Sequence, residues 1–306
     1  MLTAAEFARR IVSDPIRRAT IELYPEHSKI LDLLPFENIS GNSYTRNLDD
    51  EDNPSGVDTR AINDNYVEST GLTKAVSRTL IMMGGTAKID RYHIATQSGN
   101  EVDLMAEEIR KKVQGSARLF DKLFIKGDSG TTATEFDGLQ ASVTSGQTQA
   151  MGSTVGGDVL TLTALDELID AIQGSPSVLI MNKKARRKVN NLMRAANQAT
   201  EEIRDGFGRL IPYYGGIPIV ALEVDHAYDE ILDFNEDDFD GDAALCTSIY
   251  AAKFGPDGLY GIQSSPPIID QQGWIGNSKQ VVIDWFVNIL IGNPKAVARL
   301  SAVLLE

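Results

Sequence analysis

The stretch from Ser98 to Gly127, SGNEVDLMAEEIRKKVQGSARLFDKLFIKG, constrains the fold more than any other. Val102, Met105, Ile109, Val113, Ala117, Phe120 and Phe124 recur at steps of three and four, which puts them on one face of a helix. Ser98 with Glu101 predicts a capping box. Gly127 predicts a closing glycine in the left-handed conformation. Acids crowd the start (Glu101, Asp103, Glu107, Glu108) and bases follow (Arg110, Lys111, Lys112, Arg118, Lys122, Lys126), the order the helix dipole favours. Glu107–Lys111 and Glu108–Lys112 are spaced as i,i+4 pairs. At about 1.5 Å per residue the rod is roughly 40 Å long, a spine on which other elements can pack. Gly115, near its middle, costs about 1 kcal/mol against alanine and predicts a bend or a close contact.

The chain has 306 residues, 42% of them hydrophobic, enough to build a core. Its formal charge of −14 argues against a general nucleic-acid binder, but the charge is segregated. Residues 38–70 carry about −5, residues 71–128 about +3 and residues 225–280 about −9. Cys246 is the only cysteine, so no intrachain disulfide can form; the expectation is a small buried hydrophobe. The N-terminus lacks the apolar core of a signal peptide, and no run approaches the roughly 20 apolar residues of a membrane span. A soluble intracellular product with no membrane partner is expected.

In chain order, residues 1–37 read as an arm, with a short helix from Thr3 to Val12, a second piece to Pro35, and His27 at the surface. Residues 38–70 are polar, acidic and nearly coreless. NPSG, between arms marked by Ile39, Ser43, Thr45 and Val57, Thr59, Ala61, suggests an extended hairpin that needs a neighbouring subunit. Residues 71–94 read as a strand pair turning at Gly84-Gly85, with His93 on a half-exposed strand. Beyond the spine, a helix over LTLTALDELIDAIQG is predicted to be capped by Thr163 with Asp166. SVLIMN is a buried strand, KKARRKVNNLMRAA a basic helix, Glu201–Arg209 a charged loop, and IPYYGGIPIVAL a turn and strand. Leu222–Asp242 reads as acidic surface; CTSIYAAKFG, Leu259–Ser265, VVIDWFVNILIG and VARLSAVLLE supply the later strands. The class is mixed α+β, one domain inserted in another.

Little catalytic chemistry stands out. Gly127-Asp128-Ser129-Gly130 matches the GDSG around a serine-protease nucleophile, but it follows a long helix and lacks the two-barrel strand pattern; a helix cap and turn account for it better. There is no phosphate-cradling glycine motif, and three histidines with one cysteine give no zinc spacing. The acidic run Asp233–Asp242 is rich in oxygen ligands but departs from the EF-hand spacing, so a solvated loop is expected over a weak cation site. The basic run Lys183–Lys188 reads as a solvated face or a salt-bridged subunit contact, with phosphate binding as the alternative. No catalytic residue, cofactor or metal is assigned.

Taken in order, the pieces resemble the major capsid protein of tailed double-stranded DNA phages, the Hong Kong 97-like fold. The resemblance rests on the polar loop 38–70, the spine ending in LFIKGDSG with FDGL following, SVLIMNKKARRKVNNLM, GGIPIV, TSIYAAKFG and WFVNILIGNPKAVARL. It implies an N-terminal arm (1–37), an extended β-hairpin loop (38–70), a peripheral domain (71–145) with spine helix 98–126, an inserted axial domain (146–280), and C-terminal strands (281–306) returning to the peripheral domain. It implies a non-catalytic subunit that forms hexamers and pentamers of an icosahedral virion shell, assembled in the host cytoplasm. Packaged double-stranded DNA would face Lys111, Lys112 and Arg118 of the spine. A portal is a further implied partner, as is a separate scaffolding protein, since the chain starts almost directly at the arm. Some members crosslink through a lysine in the extended loop; residues 38–70 hold Arg46 and Arg60 but no lysine, so no such crosslink is expected. An encapsulin-like nanocompartment shell is the alternative, and a soluble α+β hydrolase a lesser one.

Overall fold

A computed structural model describes residues 24, 27–49, 57, 59–66, 73–96, 101–152, 157–196, 201–204, 210–237 and 243–305. The expected helix Thr3–Val12 and the Ser98 cap lie outside these residues. The spine is a continuous helix, Glu101–Lys126. Met105, Val113, Ala117, Phe120 and Phe124 are buried as the spacing predicts, joined by Leu123 and Ile125. A Cβ on Gly115 would meet nothing within 4 Å, so the glycine marks neither a bend nor a close contact within this chain.

The strands are β1 (Phe36–Asn38), β2 (Ser43–Asp49), β3 (Thr73–Thr79), β4 (Ile81–Asp90), β5 (Thr148–Ala150), β6 (Asp158–Val159), β7 (Val178–Asn182) and β8 (Glu201–Arg204). They continue as β9 (Leu210–Tyr214), β10 (Ile217–Leu222), β11 (Glu236–Asp237), β12 (Ala243–Ala252), β13 (Leu259–Gln263), β14 (Ile268–Ile275), β15 (Ser278–Ile291) and β16 (Val297–Leu304). One sheet joins β1, β13, β14, β15 and β4, with β15 as its axis. The second runs β5-β16-β12-β7-β10-β9-β8, with β11 and β6 at its margins. β2 and β3 form a separate two-stranded ribbon.

Several expectations change. Residues 71–94 are not a hairpin. β3 pairs with β2, from Ser43↔Thr79 to Asp49↔Thr73, so the strand returning to β2 is 73–79 and not the arm marked by Val57, Thr59 and Ala61; NPSG lies outside the described residues. β4 runs straight through Gly84-Gly85 alongside β15. Gly84 marks a close approach, not a turn: a Cβ there would sit 1.9 Å from the Ile283 carbonyl oxygen. His93 lies in a short exposed helix, Arg91–Thr96, and His27 is half-buried. Thr161, not Thr163, caps the helix Leu162–Asp170, accepting from the Ala164 amide. Glu201–Arg204 is a strand. Of the two closing strands only β15 returns to the spine's sheet; β16 joins the second, while β13 and β14 already belong to the first.

Two apolar layers hold the sheets. The first packs Val113, Ala117, Phe120 and Phe124 of the spine against Ile283, Trp285 and Val287 of β15, and extends to Val178, Ile180, Val220 and Tyr250 of the second sheet. Trp285 stacks on Phe120 at 5.4 Å and meets Tyr24 edge-on at 5.4 Å. The described end of the segment read as an arm contributes to this core: Tyr24, Ile30, Leu31 and Leu34 are buried around a helix, Lys29–Leu33, capped by Ser28. The second layer lies on the opposite face of the second sheet. There Leu179, Met181, Ile219 and Leu300 meet Leu165 and Leu168 of the helix Leu162–Asp170 and Ala185, Val189 and Met193 of the helix Lys183–Ala195. β7 thus alternates between layers and is buried along its whole length, as a strand covered on both faces must be.

Candidate nucleic-acid and subunit interfaces

The helix period sets the spine's basic residues apart. Lys111 and Arg118, seven residues apart, share a side, while Lys112 turns about 100° away. Lys111 is held by Glu107 at 3.1 Å and Glu108 at 3.2 Å, and the hydrogen bonds it donates to these carboxylates raise its pKa. Its expected partner at i+4 is therefore found; Glu108, however, pairs with Lys111 and not Lys112. Lys112 is exposed, with its stem over Gly85 of β4 and no ion pair to any described residue. Arg118 lies 5.1 Å from the ring of Tyr228, a cation–π contact.

Lys122 and Lys126, near the end of the spine, are engaged by a segment read from sequence as acidic surface. Lys122 donates to buried Asp225 at 2.8 Å, which raises the lysine's pKa. Burial pushes the Asp225 carboxyl up. The Lys122 hydrogen bond and the amides of Asp229 and Ala227 outweigh this and hold it below the usual carboxylate value. Lys126 pairs with Asp233 at 2.9 Å. The same segment reaches the second basic helix, where Lys183 pairs with Glu223 at 2.8 Å and Lys184 with Glu230 at 3.7 Å. Ile231 and Leu232 anchor this segment in the core. Further on, buried Glu236 takes Arg299 at 2.9 Å and the Ser248 hydroxyl, so the acidic run is not a free solvated loop. Residues 238–242 of that run lie outside the described residues.

The turn after the spine is a structural joint. Gly127 is not left-handed; a Cβ there would lie 2.3 Å from the Phe136 carbonyl oxygen, so the expected glycine has a different cause. The FDGL segment folds back on the helix end, with the Gly138 amide donating to the Gly127 carbonyl at 2.8 Å. The Ser129 amide and hydroxyl both donate to Asp137, at 3.0 and 2.5 Å, and Arg78 of β3 pairs with the same carboxylate. Burial raises the Asp137 pKa, but the Ser129 and Arg78 contacts bring it below the usual value. Arg46 of β2 clamps the other side of the ribbon's base. Its guanidinium donates to the Pro256 carbonyl and the Tyr260 hydroxyl and lies 3.6 Å from Asp257. Both strands of the ribbon are thus anchored by an arginine, a role with no local signal in the sequence. A cleft of about 520 Å³ opens at this base, lined by Arg78, Met82, Ser129, Asp137 and Asn288.

A sequence-family model described as SU10 major capsid protein matches residues 40–227. No curated protein sequence matches the chain. Among solved structures, the holo-SrpI encapsulin complex from Synechococcus elongatus PCC 7942 is similar at 14% identity, covering 90% of this chain and 87% of that one, with a TM-score of 0.67. The capsid of a native GTA particle is similar at 14% identity, 91% coverage of each chain and a TM-score of 0.60. A structure of Mycobacterium phage Bobi is similar at 12% identity, 89% coverage of each chain and a TM-score of 0.56. At these identities the likeness establishes the fold, which is Hong Kong 97-like.

Proposed function

The chain belongs to the SU10 major capsid protein family, and from that premise we propose that its copies assemble as hexamers and pentamers into an icosahedral shell around packaged double-stranded DNA. Its role is that of a structural shell protein of the virion, acting as a homo-oligomer. The observation that carries this reading is the family match over residues 40–227, on a fold whose β2–β3 ribbon is a separate two-stranded element tied to the body by Arg46 and Arg78. The ribbon is the extended loop, reaching to a neighbouring copy. The sheet around β15 is the peripheral unit, and the sheet around β12 and β7 the axial one.

The reading is non-catalytic. Its support is that the one serine in a nucleophile-like motif, Ser129, spends its hydroxyl on Asp137 in a joint between the spine and the ribbon. DNA is met by basic residues of the spine, Lys111, Lys112 and Arg118. Of these, Lys112 carries the charge least engaged within the chain. A scaffolding protein and a portal complete assembly in the host cytoplasm.

The likeness to the holo-SrpI encapsulin complex supports a second reading, a protein nanocompartment shell. Electron microscopy of the purified protein, with nuclease treatment and analysis of the contents, separates the two. Closed shells that protect DNA are expected. Closed shells holding one cargo protein and no DNA establish the second reading, and a chain that stays monomeric with and without lysate overturns both.

A further inference from the structure

The two helices on the outer layer of the second sheet are sorted by charge. The helix Leu162–Asp170 contains Asp166, Glu167 and Asp170 and no basic residue. The helix Lys183–Ala195 contains Lys183, Lys184, Arg186, Arg187, Lys188 and Arg194 and no acidic one. They lie side by side, the acidic helix over β16 and the basic helix over β7 and β10. Lys183 and Lys184 are engaged by Glu223 and Glu230. Arg187 and Arg194 have no ion pair among the described residues. Seven residues apart, they project from one side of the helix, about 10 Å from each other along its axis. Glu167 and Asp170, at i,i+3 and about 5 Å apart along their own helix axis, are exposed acids of opposite sign, likewise without an ion pair among the described residues. Beside the basic stripe is a groove of about 600 Å³ whose other wall is apolar: Phe234, Leu245, Leu304 and Leu305, with Leu245 76% exposed.

We propose that this face binds a second copy of the same chain, head to tail: the stripe Arg187–Arg194 of one copy docks on Glu167 and Asp170 of the next. The inference rests on the shell reading and deepens it. Two complementary surfaces on one chain make a heterologous contact, and a heterologous contact that closes generates a ring. The opposed charges set the register and suppress the reversed orientation, in which like charges would meet. The exposed Leu245 supplies apolar area beside the charged stripe.

The test is a charge swap in the full chain. Arg187→Glu with Arg194→Glu should lower the yield of shells by about tenfold or more, as should Glu167→Lys with Asp170→Lys. All four substitutions in one chain restore opposite signs across the contact and should return shells to within about twofold of wild type. Thermal melts of the unassembled variants separate misfolding from lost assembly. Normal shells from either double variant overturn the contact, and so does a quadruple variant that folds but remains unassembled. If the wild-type chain forms no shells, it is the shell reading that fails.

Discussion

Asp121 offers a quantitative test of the spine's place in the core. It sits on the buried side of the helix, and its recorded hydrogen bond is from the Ser28 hydroxyl at 2.5 Å. Burial pushes its carboxyl up to about 7; the Ser28 hydrogen bond opposes that and only partly offsets it. The unfolded chain ionises this group near its ordinary value of 3.8. Between the two values the folded state keeps a proton that the unfolded state has lost. The stabilising contribution is therefore complete below about pH 4, declines as pH rises, and is gone above about pH 7. At 1.36 kcal/mol per unit, the roughly three-unit gap amounts to about 4 kcal/mol, and the part crossed between pH 5 and pH 8 to about 3 kcal/mol.

Asp121→Asn removes the titration while keeping an acceptor for Ser28. It adds an amide donor that must be satisfied in a buried site, at a cost of about 1–3 kcal/mol. At pH 5 the variant should be slightly less stable than wild type, and at pH 8 more stable by about 1–2 kcal/mol. Urea unfolding of unassembled subunits at one protein concentration, at pH 5 and pH 8, measures both. Subtracting variant from wild type removes every other titrating group, including His27 beside Ser28. Curves that shift in parallel with pH would refute the reasoning, because the burial of this carboxyl would then have no consequence for folding.

Two further outcomes follow from the same helix. Gly115→Ala places a methyl in open space on a helix interior, so the unassembled subunit should gain about 1 kcal/mol in chemical unfolding; a loss of stability would mean that the space is filled by this chain after all. Lys111→Glu with Lys112→Glu should leave empty shells intact but reduce DNA-filled ones, scored by particle density in a gradient. Genome packaging at the wild-type level would remove the spine from the DNA-facing surface.

The elements legible in the sequence are those with a local cause. The spine, β7 and the basic helix each follow from a period and a boundary residue a few positions away. What was not legible depends on partners distant in the chain. Gly84-Gly85 satisfies every local rule for a turn, yet the backbone of β15, some two hundred residues later, leaves no room for a side chain at Gly84. The β2–β3 ribbon pairs across a long intervening segment, so the returning strand was sought too early in the chain. Asp121 could have been found. It falls four residues after Ala117, on the apolar side, where a lone carboxylate is conspicuous.

The charge pattern shows the same division between sign and pairing. A basic stretch at 71–128 and an acidic one at 225–280 are visible from composition, and the first invites a polyanion as partner. The structure joins the two within one chain: Lys122 and Lys126 of the spine and Lys183 and Lys184 of the basic helix all end on Glu223–Asp233. Charges already matched in this way have little left to offer DNA, since neutralising a phosphate would mean breaking an ion pair whose carboxylate partner, for Asp225, is buried. The electrostatic case for nucleic acid therefore contracts to the spine residues these carboxylates do not reach, Lys112 and Arg118 foremost. In the proposed contact Arg187 and Arg194 of the basic helix meet their complement in sign, Glu167 and Asp170, on another copy of the same chain.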